Sequence, residues 1–331
     1  MTYTLKQIPQ DFIVHEVSFL PTTVEKNKAT YTYVYVEKIG YTTFQLQKIL
    51  ARCFKLPLED ISFQGLKDED GLTIQLFSIK KIFGEKDIKK IKKVEENYYC
   101  IRSIFGYGKE PLQNKTLHGN TFTLTLRNLS SSSISKIIER CKDKHFSFIN
   151  YYDEQRFGKP QSPHNTHLIG KALVERDFLK AYREYLLSGN EIPTEVSKID
   201  PLDLFKKIPS NFLAFLISAY NSYLWNIHTS QSVMNKKTKL IRFKNVGKLY
   251  VPKEKVFTSQ NISMCDGYLI NKDLTVQSKK VDRPVIVNTS LYITSSGKDE
   301  LNKGKHKITL SFFLPTGSYA TMAIKQLLSQ C

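Results

Sequence analysis

Between Ile61 and Ile79 the sequence ISFQGLKDEDGLTIQLFSI must turn back on itself. Residues 61–64 read as a short strand. Residues 72–79 alternate Leu72, Ile74 and Leu76 with Thr73 and Gln75, the period-two signature of a half-buried strand. Between the two runs lie Gly65, Lys67, three successive carboxylates at Asp68, Glu69 and Asp70, and then Gly71. The stretch is strand, turn, strand, with Asp68 at the turn. A loop carried on such a scaffold is a common way to place a reactive side chain.

The neighbouring segments extend the sheet. YTYVYV at 31–36 is aromatic and β-branched, hence a strand. TTFQLQKILARCFKL follows with Phe44, Ile49, Leu50, Cys53 and Phe54 at helical spacing, Thr42 or Thr43 as cap and Pro57 as stop. EKDIKKIKKVEEN reads as a charged, solvated helix. NTFTLTLRNL at 120–129 alternates as a strand, and the serine run after it caps a second helix. Strands and helices in this order give an α+β or α/β sheet lobe.

The pattern changes after Gly158. KPQSPHNTH is a proline- and asparagine-containing connector and marks a boundary. Helical stretches follow it. Leu213, Leu216, Ile217, Tyr220, Leu224 and Ile227 form one apolar stripe, which is core. From Lys236 to Lys255 the chain is densely basic, with Phe243 and Tyr250 interleaved; an RNA-facing surface and an ordinary basic hairpin both fit. A strand, a Pro-Thr-Gly turn and a short amphipathic helix close the chain.

With 331 residues, 41% of them apolar, the chain has material for two lobes at about 100–200 residues per domain. Its formal net charge is +18, more than folding needs, and nucleic acid is the polyanionic partner this favours. The five cysteines are scattered without C-x-x-C spacing or a zinc pattern, so they read as separate thiols of a reducing cytosol. The N-terminus lacks an apolar secretory core and FLAFLISAY is too short for a membrane span, so the expectation is a cytoplasmic protein without membrane attachment.

KDEDG is not a calcium loop. Counting from Asp68, glycine stands fourth instead of sixth, and Ile79 occupies the twelfth position. Phosphate-binding, dinucleotide-binding and serine-hydrolase motifs are missing. On the residues alone, a solvated hairpin tip and a catalytic carboxylate remain equal readings of Asp68.

GLKDEDGLTIQ resembles the aspartate motif of the TruD family of tRNA pseudouridine synthases at Gly65, Lys67, Asp68, Thr73 and Gln75. Gly71 replaces the family's usual alanine, and Glu69 stands where a basic residue is common. Four further blocks follow the family's order. LKQIPQDFIVHE matches at Lys6, Pro9, Asp11, Phe12 and Glu16. LHGNTFTLTLRN resembles the Gly-Asn-x-Phe strand, NYYDEQRFG a block with Tyr152 in place of phenylalanine, and FFLPTGSYATMAIKQL the closing block. LISAYNSYLWN and DRPV also fall where the family has similar stretches, so the likeness spans residues 6 to 327.

The resemblance implies an α+β fold: a pseudouridine-synthase catalytic lobe on a mixed β-sheet, interrupted by a family-specific inserted α/β domain. Residues 1–159 and 304–331 would form the catalytic domain and 160–303 the insertion. It implies isomerisation of uridine 13 of tRNA to pseudouridine, with tRNA as partner, no metal and no cofactor, since the reaction has no net redox or hydrolytic change. Asp68 would be the nucleophile. By the resemblance Lys6, in the matching N-terminal block, would be its cation; Lys67, the neighbour in sequence, would face elsewhere, since adjacent residues of extended chain point opposite ways. Phe12, Asn150 and Tyr319, with Tyr152 alongside, would bind the flipped base; the Tyr152 hydroxyl would need a partner if buried. Gln155, Arg156 and Phe157 are assigned to fastening the sheet, and His118 to structure. The alternative is a non-catalytic RNA-binding protein or tRNA folding helper on the same scaffold. A monomer is the default.

Overall fold

The computed structural model describes residues 1–20, 23–88, 92–94, 97–113, 116–159, 162–189, 200–254, 257–258 and 261–331. The chain divides into two compact units, residues 1–145 with 289–317 and 331, and residues 146–288 with 318–330. In chain order the elements begin with β1 (Phe12–Ser18), β2 (Tyr31–Ile39), α1 (Thr43–Phe54), β3 (Ile61–Phe63), β4 (Leu72–Ile79), β5 (Lys92–Val94), β6 (Asn97–Gly108), β7 (Leu117–Leu129) and α2 (Ser131–Cys141). There follow β8 (His145–Ile149), α3 (Thr166–Val174), α4 (Phe178–Leu187), α5 (Pro201–Lys207), α6 (Ser210–Ser232), β9 (Thr238–Phe243), β10 (Gly247–Pro252), β11 (Ile262–Ile270) and β12 (Val276–Pro284). The last are β13 (Ile286–Ser290), β14 (Tyr292–Lys298), β15 (His306–Pro315) and α7 (Ala320–Gln330).

The first unit is built on a nine-stranded sheet in the order β14-β15-β7-β1-β4-β2-β6-β5, with β3 pairing β4. β1 and β4 run parallel, while β1 and β7, β2 and β4, and β2 and β6 are antiparallel, so the sheet is mixed. β4 is buried along most of its length instead of half-buried. Its polar residues Thr73 and Gln75 face inward because Gln75 braces the acidic loop, as described below. α1 starts at the Thr42 cap, whose hydroxyl accepts from the Gln45 N–H, and ends at Lys55 in the left-handed conformation before Pro57. Its buried face is Thr43, Leu46, Leu50 and Ala51; of the expected stripe Leu50 is buried and Phe54 packs against the core, while Phe44 and Cys53 are exposed. Phe44 is 54% exposed and meets Phe63 edge-to-face. Leu46 and Leu50 pack on Val34, Val36, Phe77 and Ile79 of the sheet, worth about 1.5–3 kcal/mol per buried side chain.

Among its described residues the charged helix expected at 85–97 is not formed. Its described parts are a 3-10 turn at Glu85–Asp87 and strand β5, which pairs antiparallel with β6; residues 89–91 and 95–96 lie outside the described residues. The open main-chain edge of β6 outcompetes helical spacing there.

The second unit gathers around α6. Trp225, Tyr151, Phe157, Val251, Val285 and Met322 form one buried cluster, and Ile169, Leu173, Phe205, Leu213 and Leu216 another. The expected stripe holds for the first half of α6; in the second half Asn221, Ser222, Trp225 and Asn226 are also buried. The basic stretch from Lys236 onward forms the antiparallel hairpin β9–β10; Lys255 lies outside the described residues. β11 and β12 form another hairpin. Among the described residues no helix is long and apolar enough to cross a membrane.

The compact units divide at other places than 160 and 303. Tyr151 and Phe157 pack in the Trp225 cluster, drawing the segment after His145 into the second unit. β14 joins the large sheet through β15, which draws residues 289–303 into the first. α7 carries Met322 into the Trp225 cluster. Arg156 donates to Ser222 of α6 and Phe157 is buried beside it, so this pair fastens the helical unit and not the sheet.

Candidate active site

Asp68 sits in the loop between β3 and β4, on main chain that is braced from below. Gly65 has φ +59°, a left-handed conformation that glycine takes at no steric cost. The Gln75 side-chain amide donates to the carbonyls of Gln64 and Gly65 at 3.1 and 3.0 Å. The Lys67 N–H donates to the Thr43 hydroxyl, and the Glu69 carbonyl accepts from the Gly40 N–H. At Gly71 an added Cβ would stand 2.6 Å from the Phe12 carbonyl, so this residue lets β1 and β4 close.

The two lysines take different partners. Lys6 Nζ lies 2.7 Å from Asp68 Oδ2, with the Asp68 side chain 34% exposed. Lys67 instead pairs with Glu16 at 2.6 Å in a fully buried ion pair. Burial pushes the Glu16 carboxyl up against the opposing pull of Lys67. Lys6 Nζ also lies 4.1 Å over the Phe12 ring, which packs edge-on against Phe122. Phe12 is 3% exposed, so its described contacts are with Lys6 and the core.

The segment bearing Lys6 is held by Asp11. Asp11 Oδ2 accepts from the N–H groups of Gln7 and Ile8, both at 3.1 Å. Arg127 grips the same carboxylate through Nε at 2.8 and 2.9 Å and reaches Asp299 at 2.8 Å. His118 stacks on Phe313 at 5.1 Å, in keeping with a packing role.

A second cluster lies in the other unit. Asn150 is buried, and Arg283 donates to its main-chain oxygen and to Oδ1, each at 2.8 Å. The guanidinium lies 4.0 Å over the Tyr152 ring and also hydrogen-bonds the Tyr152 side chain, so the hydroxyl in place of phenylalanine has its partner. Burial pulls the Arg283 guanidinium below its ordinary range, and Tyr152 opposes the shift. Tyr152 meets Tyr319 edge-to-face at 6.0 Å and is tied to Asn226 by its own N–H and carbonyl. Burial raises the Tyr319 phenol.

The family profile for tRNA pseudouridine synthase D (TruD) matches residues 1–204. The chain belongs to the TruD family. It is 25% identical to the probable tRNA pseudouridine synthase D 2 of Methanocaldococcus jannaschii over 97% of this chain and 90% of that protein. It is also 25% identical to the tRNA pseudouridine synthase D of Aquifex aeolicus, over 99% and 98%. The crystal structure of the putative TruD of Methanosarcina mazei superposes with a TM-score of 0.64 at 22% identity, covering 99% of this chain and 93% of that one; the fold is shared.

Two residues that touch these clusters are not singled out by the sequence. Arg283 lies in DRPV, to which the sequence gives no role, and Lys38 lies two residues past YTYVYV, in the part of β2 that the sequence does not mark as strand. An arginine before a proline and a lysine between Val36 and Ile39 were the available signals. Among the described residues no group of three or more His, Cys, Asp or Glu side chains is placed to hold a metal ion. An open cavity of about 630 Å³ beside α1, lined by Leu50, Phe54, Phe83 and Tyr99, contains none of these site residues.

Proposed function

We propose that this TruD protein converts uridine 13 of tRNA to pseudouridine, with Asp68 as nucleophile. The observation that carries the reading is the Lys6–Asp68 ion pair at 2.7 Å on a braced, partly exposed loop. A carboxylate is a suitable covalent catalyst: anionic near neutrality, able to attack and able to leave. In the net reaction the C1′–N1 bond breaks, a C1′–C5 bond forms, and the hydrogen of C5 is replaced by one on N1. Nothing is oxidised and no water is consumed.

Lys6 orients and neutralises the attacking carboxylate. Asn150, Tyr152 and Tyr319 hold the extruded base by hydrogen bonding and by aromatic contact, and Phe12 supports Lys6 from beneath. The net charge of +18 supports phosphate binding, and affinity should fall steeply with salt. The test is incubation with unmodified tRNA transcript and mapping by carbodiimide-stop primer extension. Wild type should give a stop at uridine 13 that Asp68→Ala abolishes. No stop with wild type, or an undiminished stop with the variant, overturns the reading.

A further inference from the structure

Lys38 is a buried cation that the reaction outlined above leaves without a task. It lies on β2, opposite Thr73 of β4 and Tyr99 of β6, and its residue exposure is 0%. Among the described residues its ammonium donates to one acceptor, the main-chain carbonyl of Asp68 at 2.7 Å. Burying an ammonium is costly, and an apolar side chain of similar length would fill a sheet interior without that cost. A loop carbonyl needing a partner is ordinarily served by a neutral donor or by water. The observed arrangement fastens a full positive charge to the peptide unit from which the reactive carboxylate projects.

We propose that Lys38 is a positioning residue for Asp68: its ammonium clamps the Asp68 carbonyl from inside the sheet, fixing the main chain so that the carboxylate meets Lys6 and the sugar or base in one orientation. This rests on Asp68 being the nucleophile. The clamp and Lys6 grip different atoms of Asp68. Lys6 holds the side chain at Oδ2, Lys38 holds the main chain at O, and the two cations bracket the residue. Lys67, next to Asp68, is committed to Glu16 and takes no part in the grip.

The clamp is strong only while Lys38 is charged. Burial lowers its pKa to about 8; Asp68, Glu69 and Asp70 pull it upward and Lys67 pushes it down. Below about pH 8 the ammonium makes a charge-assisted hydrogen bond. Above it the neutral amine is a weaker donor and the loop is released. The chemical step should therefore slow on the alkaline side.

The experiment is single-turnover pseudouridine formation with saturating tRNA transcript from pH 6 to pH 9.5, together with amide hydrogen exchange of residues 64–71 in the free protein. For wild type, the rate should fall with an apparent pKa near the value of about 8 set for Lys38. Lys38→Met should lower the plateau rate by about 100-fold, the scale of a misplaced reacting group, abolish the alkaline limb, speed exchange in the loop and leave tRNA affinity within about twofold. Lys38→Arg keeps the charge and should move the limb upward; it decides the matter where the methionine variant does not fold. An unchanged rate with unchanged exchange in Lys38→Met overturns the clamp, as does a limb that stays in place in either variant. A wild type that makes no pseudouridine at any pH brings down the functional reading. Loop exchange then still judges the clamp: exchange in Lys38→Met equal to wild type would overturn it.

Discussion

Arg283 fixes which end of the Asn150 amide is free. Its Nε and Nη2 donate to the main-chain oxygen and to Oδ1 of Asn150, each at 2.8 Å. A guanidinium has donors only, so the amide oxygen must face it, and Nδ2 keeps its two hydrogens for another acceptor. A base read by Asn150 is then read at a carbonyl oxygen, which uracil offers. Arg283→Lys keeps the charge and loses the fork. The expected result is a fall of about 10- to 100-fold in the single-turnover rate, equivalent to roughly 1.4–2.7 kcal/mol, with tRNA affinity within about twofold. Wild-type kinetics in this variant would remove Arg283 from the support of Asn150.

The N-terminal segment makes a separable prediction. Lys6→Met removes the cation from Asp68 and leaves the Asp11 anchor intact, so the rate should drop by about 100-fold with little change in Tm. Asp11→Ala should lower both, because it strips Arg127 of a buried partner and frees the N–H groups of Gln7 and Ile8, at a cost of about 3–5 kcal/mol. Thermal melts and single-turnover rates on the same preparations distinguish the two. An Asp11→Ala protein as stable as wild type would contradict the anchor.

Much of this was legible beforehand, for physical reasons that differ between residues. The Asp68 loop could be read because Gly65 and Gly71 are required by a left-handed φ and by a close main-chain approach, constraints that leave a mark in sequence. That Lys67 turns away from Asp68 to another partner agrees with the opposite directions that adjacent side chains take in extended chain. Phe44 was misplaced because spacing fixes the helical period and not which of two adjacent stripes is covered. Gln75 looked like a solvent-facing residue. It is buried because two loop carbonyls need its amide, a demand made by tertiary structure. Lys38 and Arg283 were illegible for the same reason: a buried cation is recognised only from what it touches.

Acid should expose the network at the base of the first unit. Burial raises the Asp299 carboxyl, but hydrogen bonds from the Asn128 and Leu301 N–H groups, Asn302 and Arg127 outweigh it and hold the pKa at about 2. The unfolded value is near 3.9. The folded pKa is the lower one, so Asp299 contributes fully above about pH 4, and the contribution is lost as pH falls towards 2. Asp299→Asn should cost about 1.5–3 kcal/mol at pH 7, from lost charge-assisted hydrogen bonds. The difference in Tm from wild type should shrink between pH 4 and pH 2. A difference independent of pH would show that the Asp299 charge does not support the fold.

The Lys67–Glu16 pair should behave differently from a surface salt bridge. Both side chains are buried, 5% and 0% exposed, with nitrogen and oxygen 2.6 Å apart. Breaking one side leaves a charge in the interior without its counter-ion, so Glu16→Gln and Lys67→Met should each cost about 3–5 kcal/mol. The double variant leaves no unpaired charge and should recover most of that stability, a coupling of several kcal/mol in the double-mutant cycle. Activity should not recover in parallel. Lys67 is covalently next to Asp68, and the ammonium also reaches the Gln64 carbonyl at 3.5 Å, so the ion pair sets the path of the loop as well as its stability. A double variant restored in both Tm and single-turnover rate would mean that the pair serves the fold alone and that the brackets at Lys6 and Lys38 suffice to aim the carboxylate.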